Sequence, residues 1–310
     1  MDNNVTEFVL MGFSPNLEVQ TLCSILFLTC YLIVFLGNLL IFITIRCSHL
    51  IDQPMYFFLS LLSAMDLCYT STVVPQMIRN LLGGSKTISF SNCMAQLFAV
   101  HFFGGVEIFI LVGMAFDRYV AICRPLRYMA IMNKLTCHLL ILAACGLALL
   151  HSFAQTLMVA NLSFCDLNQV DHFFCDVKPL LKLVCTDTHT INILVVANSG
   201  MVSLVTFFIL VISYAVILYN LRTYSASDRY RALSTCSSHI TVVVIFFVPC
   251  IFTYTLPPNA INEDQVFAVL YTVLAPMLNP FIYTLRNLEM KTAIRKVWYK
   301  KAFLRKKQNQ

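Results

Sequence analysis

Long apolar runs separated by short polar joints make up almost the whole chain. Residues 19–45 hold no Asp, Glu, Lys or Arg, and four more charge-free runs follow at 135–165, 188–221, 232–262 and 265–285. Two further stretches, around 53–78 and 87–123, are apolar but carry internal charges. About 20 residues cross the hydrocarbon layer as a helix, so each run is long enough to span it. Lipid offers backbone groups no partners and no alternating barrel pattern is present, so the spanning form is helical. The pattern predicts an all-α membrane protein, a seven-transmembrane helix bundle forming a single domain over 1–310. Its helices lie near 23–46, 55–79, 92–123, 137–159, 192–222, 233–256 and 266–286, after a tail 1–22 and before a tail 287–310. Within that last tail, Leu288, Ala293, Ile294, Val297 and Trp298 share one face of a short amphipathic C-terminal helix lying along the membrane surface.

Composition agrees with this pattern: mean hydropathy is +0.77 and only 12% of residues are charged, about half the share in soluble domains. Charge placement then orients the bundle. Of 21 Lys and Arg, 17 fall on the side that holds Arg46, Arg118, Lys134, Arg222 and everything from Arg286 onward; Arg79, Lys86, Lys178 and Lys182 fall on the other. The positive-inside rule predicts a multi-pass membrane protein with its N-terminus outside and its C-terminus cytoplasmic. The net charge of +6 is therefore a topology charge, with membrane lipid and no nucleic acid as the implied partner. Residues 1–20 lack a basic segment followed by a short apolar stretch and a cleavage site, so no removable signal peptide is expected.

Thirteen cysteines leave at least one unpaired, and those inside the runs read as small apolar residues. Cys93, Cys165, Cys175 and Cys185 fall on the outer side, where three connectivities are open. Three of the four lie in a loop over 160–190, long enough to be functional and held by its cysteines. "NVT" at Asn4 and "NLS" at Asn161 are glycosylation acceptors on that side, the second close to the membrane.

Ionisable groups inside a span are functional candidates, and Asp66 and Glu107 are the only acids well inside the apolar zone. Two carboxyls at similar depth can share a proton or hold a cation; the plainer reading is two neutral acids bonded to neighbouring helices. Asn38 and Asn279 complete a polar cluster, and prolines at 75, 249, 276 and 280 mark bends. Adjacent charges at Asp117 and Arg118, in "MAFDRYVAIC", sit at the inner end of the third helix, where the arginine reaches water or a partner.

Taken with "PMYFFLSLLSAMDLCY" (54–69), "MAFDRYVAICRPLRY" (114–128), "SY" (213–214), "RALSTCSSH" (231–239) and "PMLNPFIYTLRN" (276–287), the chain resembles the rhodopsin-like (class A) G-protein-coupled receptors. Within them it is similar to the tetrapod-type olfactory receptors. That resemblance implies an odorant receptor and not an enzyme, which binds a small, mostly apolar volatile and activates a stimulatory, olfactory-type heterotrimeric G protein to raise cyclic AMP. Asp117, Arg118, Tyr119, Tyr214, Asn279 and Tyr283 match the switch and coupling residues. Arg231 stands where the family more often has Lys. Asp66 and Glu107 match an acid pair able to take an allosteric sodium ion, the sole cofactor implied. The implied disulfides are Cys93–Cys175 and Cys165–Cys185.

Counting from the matched motifs puts Val100, His101, Gly104, Gly105, Ile108, Asn198, Ser199, Val202, Ile251, Tyr254 and Thr272 around a ligand, with Phe247 beside them. Gly104 and Gly105 either widen that pocket or admit a close helix. The chain departs from the family where Phe246, Phe247 and Val248 replace Phe-Tyr-Gly, which removes a hydroxyl from the sixth helix. No acid occupies the upper third of the third helix, so an amine anchored there is disfavoured. His172 with Cys175 resembles half a metal site, with that cysteine expected to be oxidised. A class A receptor for a non-odorant ligand is the nearest alternative; a cation-coupled transporter using Asp66 and Glu107 is opposed by the odd span count and the lack of an inverted repeat.

Overall fold

The computed structural model describes residues 5–12, 16–164, 168–185, 189–255, 264–285 and 287–308, without the side chains of Asp228, Arg231, Thr235, Asp264, Leu285 and 299–308. Seven of its helices are long and apolar enough to cross a membrane: α1 (Leu17–Arg46), α2 (Pro54–Leu81), α3 (Phe90–Cys123), α4 (Lys134–Ala160), α5 (His189–Thr223), α6 (Ala226–Thr255) and α7 (Gln265–Thr284). A C-terminal helix, α8 (Leu288–Gln308), follows.

Several helices begin ahead of their expected starts, because caps and not hydropathy set where hydrogen bonding starts. Asn16 accepts from the Glu18 amide at 2.9 Å and starts α1 six residues ahead of the hydropathy onset. Ser89 and Asn133 cap α3 and α4 in the same way, at 3.3 and 2.9 Å. At α6 the polar residues 226–231 simply continue the helix beyond the apolar length. Both α5 and α7 widen into a π turn, at Val196–Gly200 and Leu270–Leu274. The second lies just before Pro276, whose ring would otherwise meet the carbonyl one turn back.

The helices alternate in direction. One end carries the N-terminus and the 160–190 loop (the loop end); the other carries Arg118 and α8 (the basic end). α1 packs on α2 and α7, and α3 is central, touching α2, α4, α5 and α6. At the α1–α7 contact a Cβ on Gly37 would lie 2.9 Å from two Pro280 side-chain atoms. Asn38, next in sequence and wholly buried, donates to the carbonyls of Val34 and Pro276, both at 3.1 Å.

The loop end holds what helical periodicity missed, a three-stranded sheet in the order β2-β1-β3. β1 (Glu7–Leu10) pairs antiparallel with β2 (Thr87–Ser89) and parallel with β3 (Gln169–Val170). Phe8 and Leu10 are fully buried beneath it. Cys93 and Cys175 form a disulfide that ties the long loop to α3. Gln96 reinforces it, accepting from the Cys175 amide and donating to the Thr72 carbonyl, both at 2.9 Å. With Cys175 oxidised, no half metal site remains beside His172. Cys185 is also disulfide-bonded, while Cys165, expected to be its partner, lies outside the described residues, as does Asn4. Asn161 is the exposed cap of α4 and its Nδ2 donates back to the Leu157 carbonyl at 2.8 Å.

At the basic end Asn287 accepts from the Glu289 and Met290 amides and so starts α8. Its inward face keeps the expected Ala293 and Ile294 but begins at Met290, which is buried, whereas Leu288 is 77% exposed. Trp298 donates to the Thr44 hydroxyl at 3.4 Å and anchors α8 on α1.

Two outcomes follow. Gly37→Ala forces α1 away from Pro280 and lowers stability by about 1–3 kcal/mol, read as a reduced melting temperature of the purified protein. An unchanged melting temperature would show that the contact has slack. The second concerns His172, buried in the long loop and pushed down to about 4 by that burial, with Asp176 opposing the shift and Lys182 adding to it. Its stabilising effect is complete above the ordinary value of 6.5 and is lost as pH falls from there towards 4. At pH 5 that loss is about 2 kcal/mol. Asp176, pushed up chiefly by burial, acts with the opposite sign and stabilises as pH falls. His172→Gln isolates the histidine: between pH 7.5 and 5 its melting temperature drops less than the parent's, and equal drops would exclude His172.

Candidate functional site

Three polar arrangements lie along the bundle axis, one nearer each end and one in the middle. Nearest the loop end is a cavity of about 50 Å³ between α3, α5, α6 and α7. Val100, His101, Gly104, Gly105, Ile108, Ser199, Val202 and Tyr254 line it, together with Tyr69, Phe109, His151, Ser203, Phe246, Cys250 and Tyr271. Its exposed wall is mostly carbon, with hydroxyls and two imidazoles as the polar exceptions. Such a surface binds a small apolar molecule by burial and orients it by one or two hydrogen bonds.

Three of the residues counted from the motifs face elsewhere. Asn198 sits on the α4–α5 seam, where it meets His151 Nδ1 at 3.0 Å and donates to Gln155 at 2.8 Å. It therefore orients a cavity residue without being one. Thr272 donates to the Ala268 carbonyl of its own helix at 2.6 Å. Ile251 is half-buried in the general core. Phe247 also turns away, packing on Phe207 at 6.0 Å between ring centres, and its neighbour Phe246 takes the cavity wall. A count along one helix gives the face to within a residue; the neighbour's packing decides which side chain enters.

The two glycines separate cleanly. A Cβ on Gly105 would meet the Ala148 Cβ of α4 at 3.1 Å, so this glycine admits a close helix. A Cβ on Gly104 would find the Tyr69 ring at 3.6 Å, ordinary contact distance, so this one leaves cavity space.

The residue that sequence reasoning missed is Asp176. It comes from the long loop and not from α3, and it is almost wholly buried. Tyr254 donates to its carboxylate at 3.1 and 3.2 Å, and His101 Nε2 stands 3.9 Å away. His101 Nδ1 meets the Leu97 carbonyl at 3.0 Å, so that nitrogen carries the proton and Nε2 is an acceptor in the neutral ring. Asp176 thus fixes Tyr254 at the top of the cavity, while His101, held by its own helix through Nδ1, turns an Nε2 with no hydrogen-bond partner among the described residues towards it. Its place directly after Cys175 was the available signal: the disulfide on α3 draws the next residue inward.

Midway, Asp66 accepts from Asn279 Nδ2 at 2.8 Å, and Glu107 lies within hydrogen-bonding reach of Asp66. Both carboxyls are buried. Among the described residues Asp66 Oδ1, Glu107 Oε1, Ser63 Oγ and Asn279 Oδ1 have no hydrogen-bond partner.

Near the basic end Asp117 is fully buried and holds two partners. Arg118 donates to its Oδ2 through Nε at 2.9 Å and through Nη2, and Tyr128 donates to its Oδ1 at 2.7 Å. Burial and this carboxylate together push the Tyr128 phenol well up. Arg118 opens onto a cavity of about 570 Å³ lined by Tyr56, Ser234, Ser238, Tyr283 and Glu289 among others. Tyr214 is bonded to His239 Nδ1, Tyr119 is half-buried against the core, and the Tyr283 hydroxyl has no partner among the described residues. The three groups lie at three depths, connected through α3.

Substituting the glycines one at a time distinguishes cavity from packing. Gly104→Ala shrinks the cavity and leaves the melting temperature within about 0.5 kcal/mol of the parent. Gly105→Ala, pressed on Ala148, lowers it by the equivalent of about 1–3 kcal/mol. Equal effects would mean both serve packing alone.

The olfactory receptor family model matches residues 27–301, nearly the whole of this arrangement. The chain is 53% identical to human olfactory receptor 4S2 over 98% of each chain. It is 52% identical to mouse olfactory receptor 4B13 over 96% of this chain and 98% of that one, and 51% identical to human olfactory receptor 4B1 over 96% and 97%. Seven apolar helices, a disulfide between α3 and the long loop, and identity of this depth over the full bundle agree: the chain belongs to the olfactory receptor family, multi-pass membrane proteins that are receptors and not enzymes.

Proposed function

We propose that this receptor binds small, mostly apolar volatile odorants in the cavity under the long loop and thereby activates a stimulatory, olfactory-type heterotrimeric G protein, raising cyclic AMP. The observation that carries the reading is the Asp117–Arg118–Tyr128 lock, set beside a 570 Å³ cavity at the opposite end from the apolar one. A buried carboxylate restrains an arginine that faces a recess large enough for a partner's peptide. The excess of Lys and Arg at this end supports a cytoplasmic orientation for it, with the N-terminus extracellular and the chain in the plasma membrane.

Volume gives the switch its direction. At about 50 Å³ the ligand cavity is far below the roughly 300–1,000 Å³ of typical small-molecule clefts. An odorant has to enlarge it, and so favours whichever bundle arrangement has α3, α5 and α6 further apart. Only that difference in affinity between arrangements moves the population. Release of Arg118 from Asp117, with Tyr214 leaving His239 and Tyr283 finding a partner, is the matching change at the other end.

A sodium ion fits the middle cluster in the same reading. Asp66, Glu107, Ser63 and Asn279 present oxygens with no hydrogen-bond partner among the described residues, a donor set suited to a hard cation. The ion would supply positive charge to the carboxyl pair, and these residues would hold α2, α3 and α7 together in the resting arrangement.

Screening a broad odorant panel for cyclic AMP in cells that display the receptor identifies an agonist. Arg118→Ala, at unchanged surface level, then removes that agonist's response by about 10-fold or more, the loss of a charge-assisted contact of roughly 1.5–3 kcal/mol. A full response from the variant would sink the assignment.

A further inference from the structure

A third recess, of about 460 Å³, opens on the flank of the basic end and plays no part in the receptor mechanism above. Its walls come from the α1–α2 joint, the start of α2, the short helix Tyr128–Ile131 with the residues after it, and the first turns of α4. The floor is apolar, with Phe57, Met129 and Met132; the rim carries the cations Arg46 and Lys134 and the imidazole of His138. Met129 is 76% exposed, a costly state for a thioether in water and an easy one in lipid. One turn beyond His138 on the same face of α4, Leu142 is 70% exposed, so the apolar surface continues from the recess into the hydrocarbon zone.

Charge chooses the occupant. Asp52 is the one acid on the walls and already accepts from Lys134 at 2.8 Å. That pair holds its carboxyl below the usual carboxylate range, yet both side chains are largely exposed. Exposed pairs of this sort exchange partners readily. Arg46 and the outward nitrogen of His138, whose Nδ1 meets the Lys134 carbonyl at 2.6 Å, stay turned to the rim. A headgroup with negative charge, attached to an acyl chain, matches this layout of cations above carbon. We propose that the recess binds an acidic phospholipid of the adjoining leaflet, its phosphate on Arg46 and Lys134 and one chain across Phe57 and Met129.

Occupancy reaches the switch by contact. Met129 and Met132 face the recess, while Tyr128 from the same short helix donates to Asp117 Oδ1 at 2.7 Å. A lipid seated against the methionines braces that helix and keeps Tyr128 on Asp117, which keeps Arg118 restrained. The binding site is independent of the receptor reading; this regulatory consequence rests on it, and the two are measured separately.

Native mass spectrometry of the purified full chain, loaded with phosphatidylserine or phosphatidylcholine, reads the site directly. The parent retains phosphatidylserine preferentially, and Arg46→Gln with Lys134→Gln lowers the preference by roughly 5-fold for each cation removed. Arg46→Lys with Lys134→Arg keeps it, and Met129→Trp, which fills the recess with the charges intact, loses it. Soluble glycerophosphoserine does not compete. Equal retention by the parent and the double Gln variant overturns the site, and so does competition by the soluble headgroup, which would mean that the acyl chain contributes nothing. In nanodiscs, basal nucleotide exchange is lower with phosphatidylserine than with phosphatidylcholine alone, and Tyr128→Phe abolishes the difference while retaining the lipid. Persistence of the difference in that variant overturns the link to Asp117.

Discussion

Burying an ionisable group far from water costs several kcal/mol unless a partner meets it, and the whole bundle is arranged around the few that are buried. Asp66, Glu107, Asp117 and Asp176 are all nearly inaccessible. Each is met by side chains from another element or an adjacent position: Asn279 for Asp66, Asp66 itself for Glu107, Arg118 and Tyr128 for Asp117, Tyr254 for Asp176. Because those partners sit on different helices and loops, satisfying the acids fixes how the helices lie against one another. Hydrophobic packing alone would not do so, since a lipid tail is as apolar as a leucine face.

The same balance gives the proposed switch its energetic basis. A group held by a single partner has a second arrangement within a few kcal/mol, provided water or a new partner waits there. Arg118 meets that condition, with its carboxylate on one side and an open cavity on the other. Tyr283, with no partner among the described residues, meets it from the opposite direction. Residues with two rigid partners, such as Asn38 between Val34 and Pro276, serve the opposite purpose and hold α1 on α7.

The loop end follows a different logic. There the sheet, the Cys93–Cys175 disulfide and Gln96 make a closed roof with Phe8 and Leu10 beneath. Rigid cover above and a small cavity below mean that a ligand's bulk is accommodated sideways, by the helices. Under the proposed function, displacement of these helices would pass along α3, which packs on α2, α4, α5 and α6.

Much was legible in the chain itself. Charge-free runs determine the seven helices because the bilayer requires both their length and their apolarity, and the scarcity of buried acids singles out Asp66, Glu107 and Asp117 without any structure. Helix starts were less legible, since Asn16, Ser89 and Asn133 cap ahead of the starts that hydropathy gives. Only tertiary structure decided the sheet at the loop end, because β1, β2 and β3 are short segments far apart in sequence with no periodicity of their own. It likewise decided that Phe246 and not Phe247 enters the cavity, that Gly105 serves packing while Gly104 leaves space, and that the acid at the cavity's roof is Asp176. Apolarity and length are properties of a segment and can be read from it; which neighbour a side chain meets depends on pairs of segments, and appears only when they are brought together.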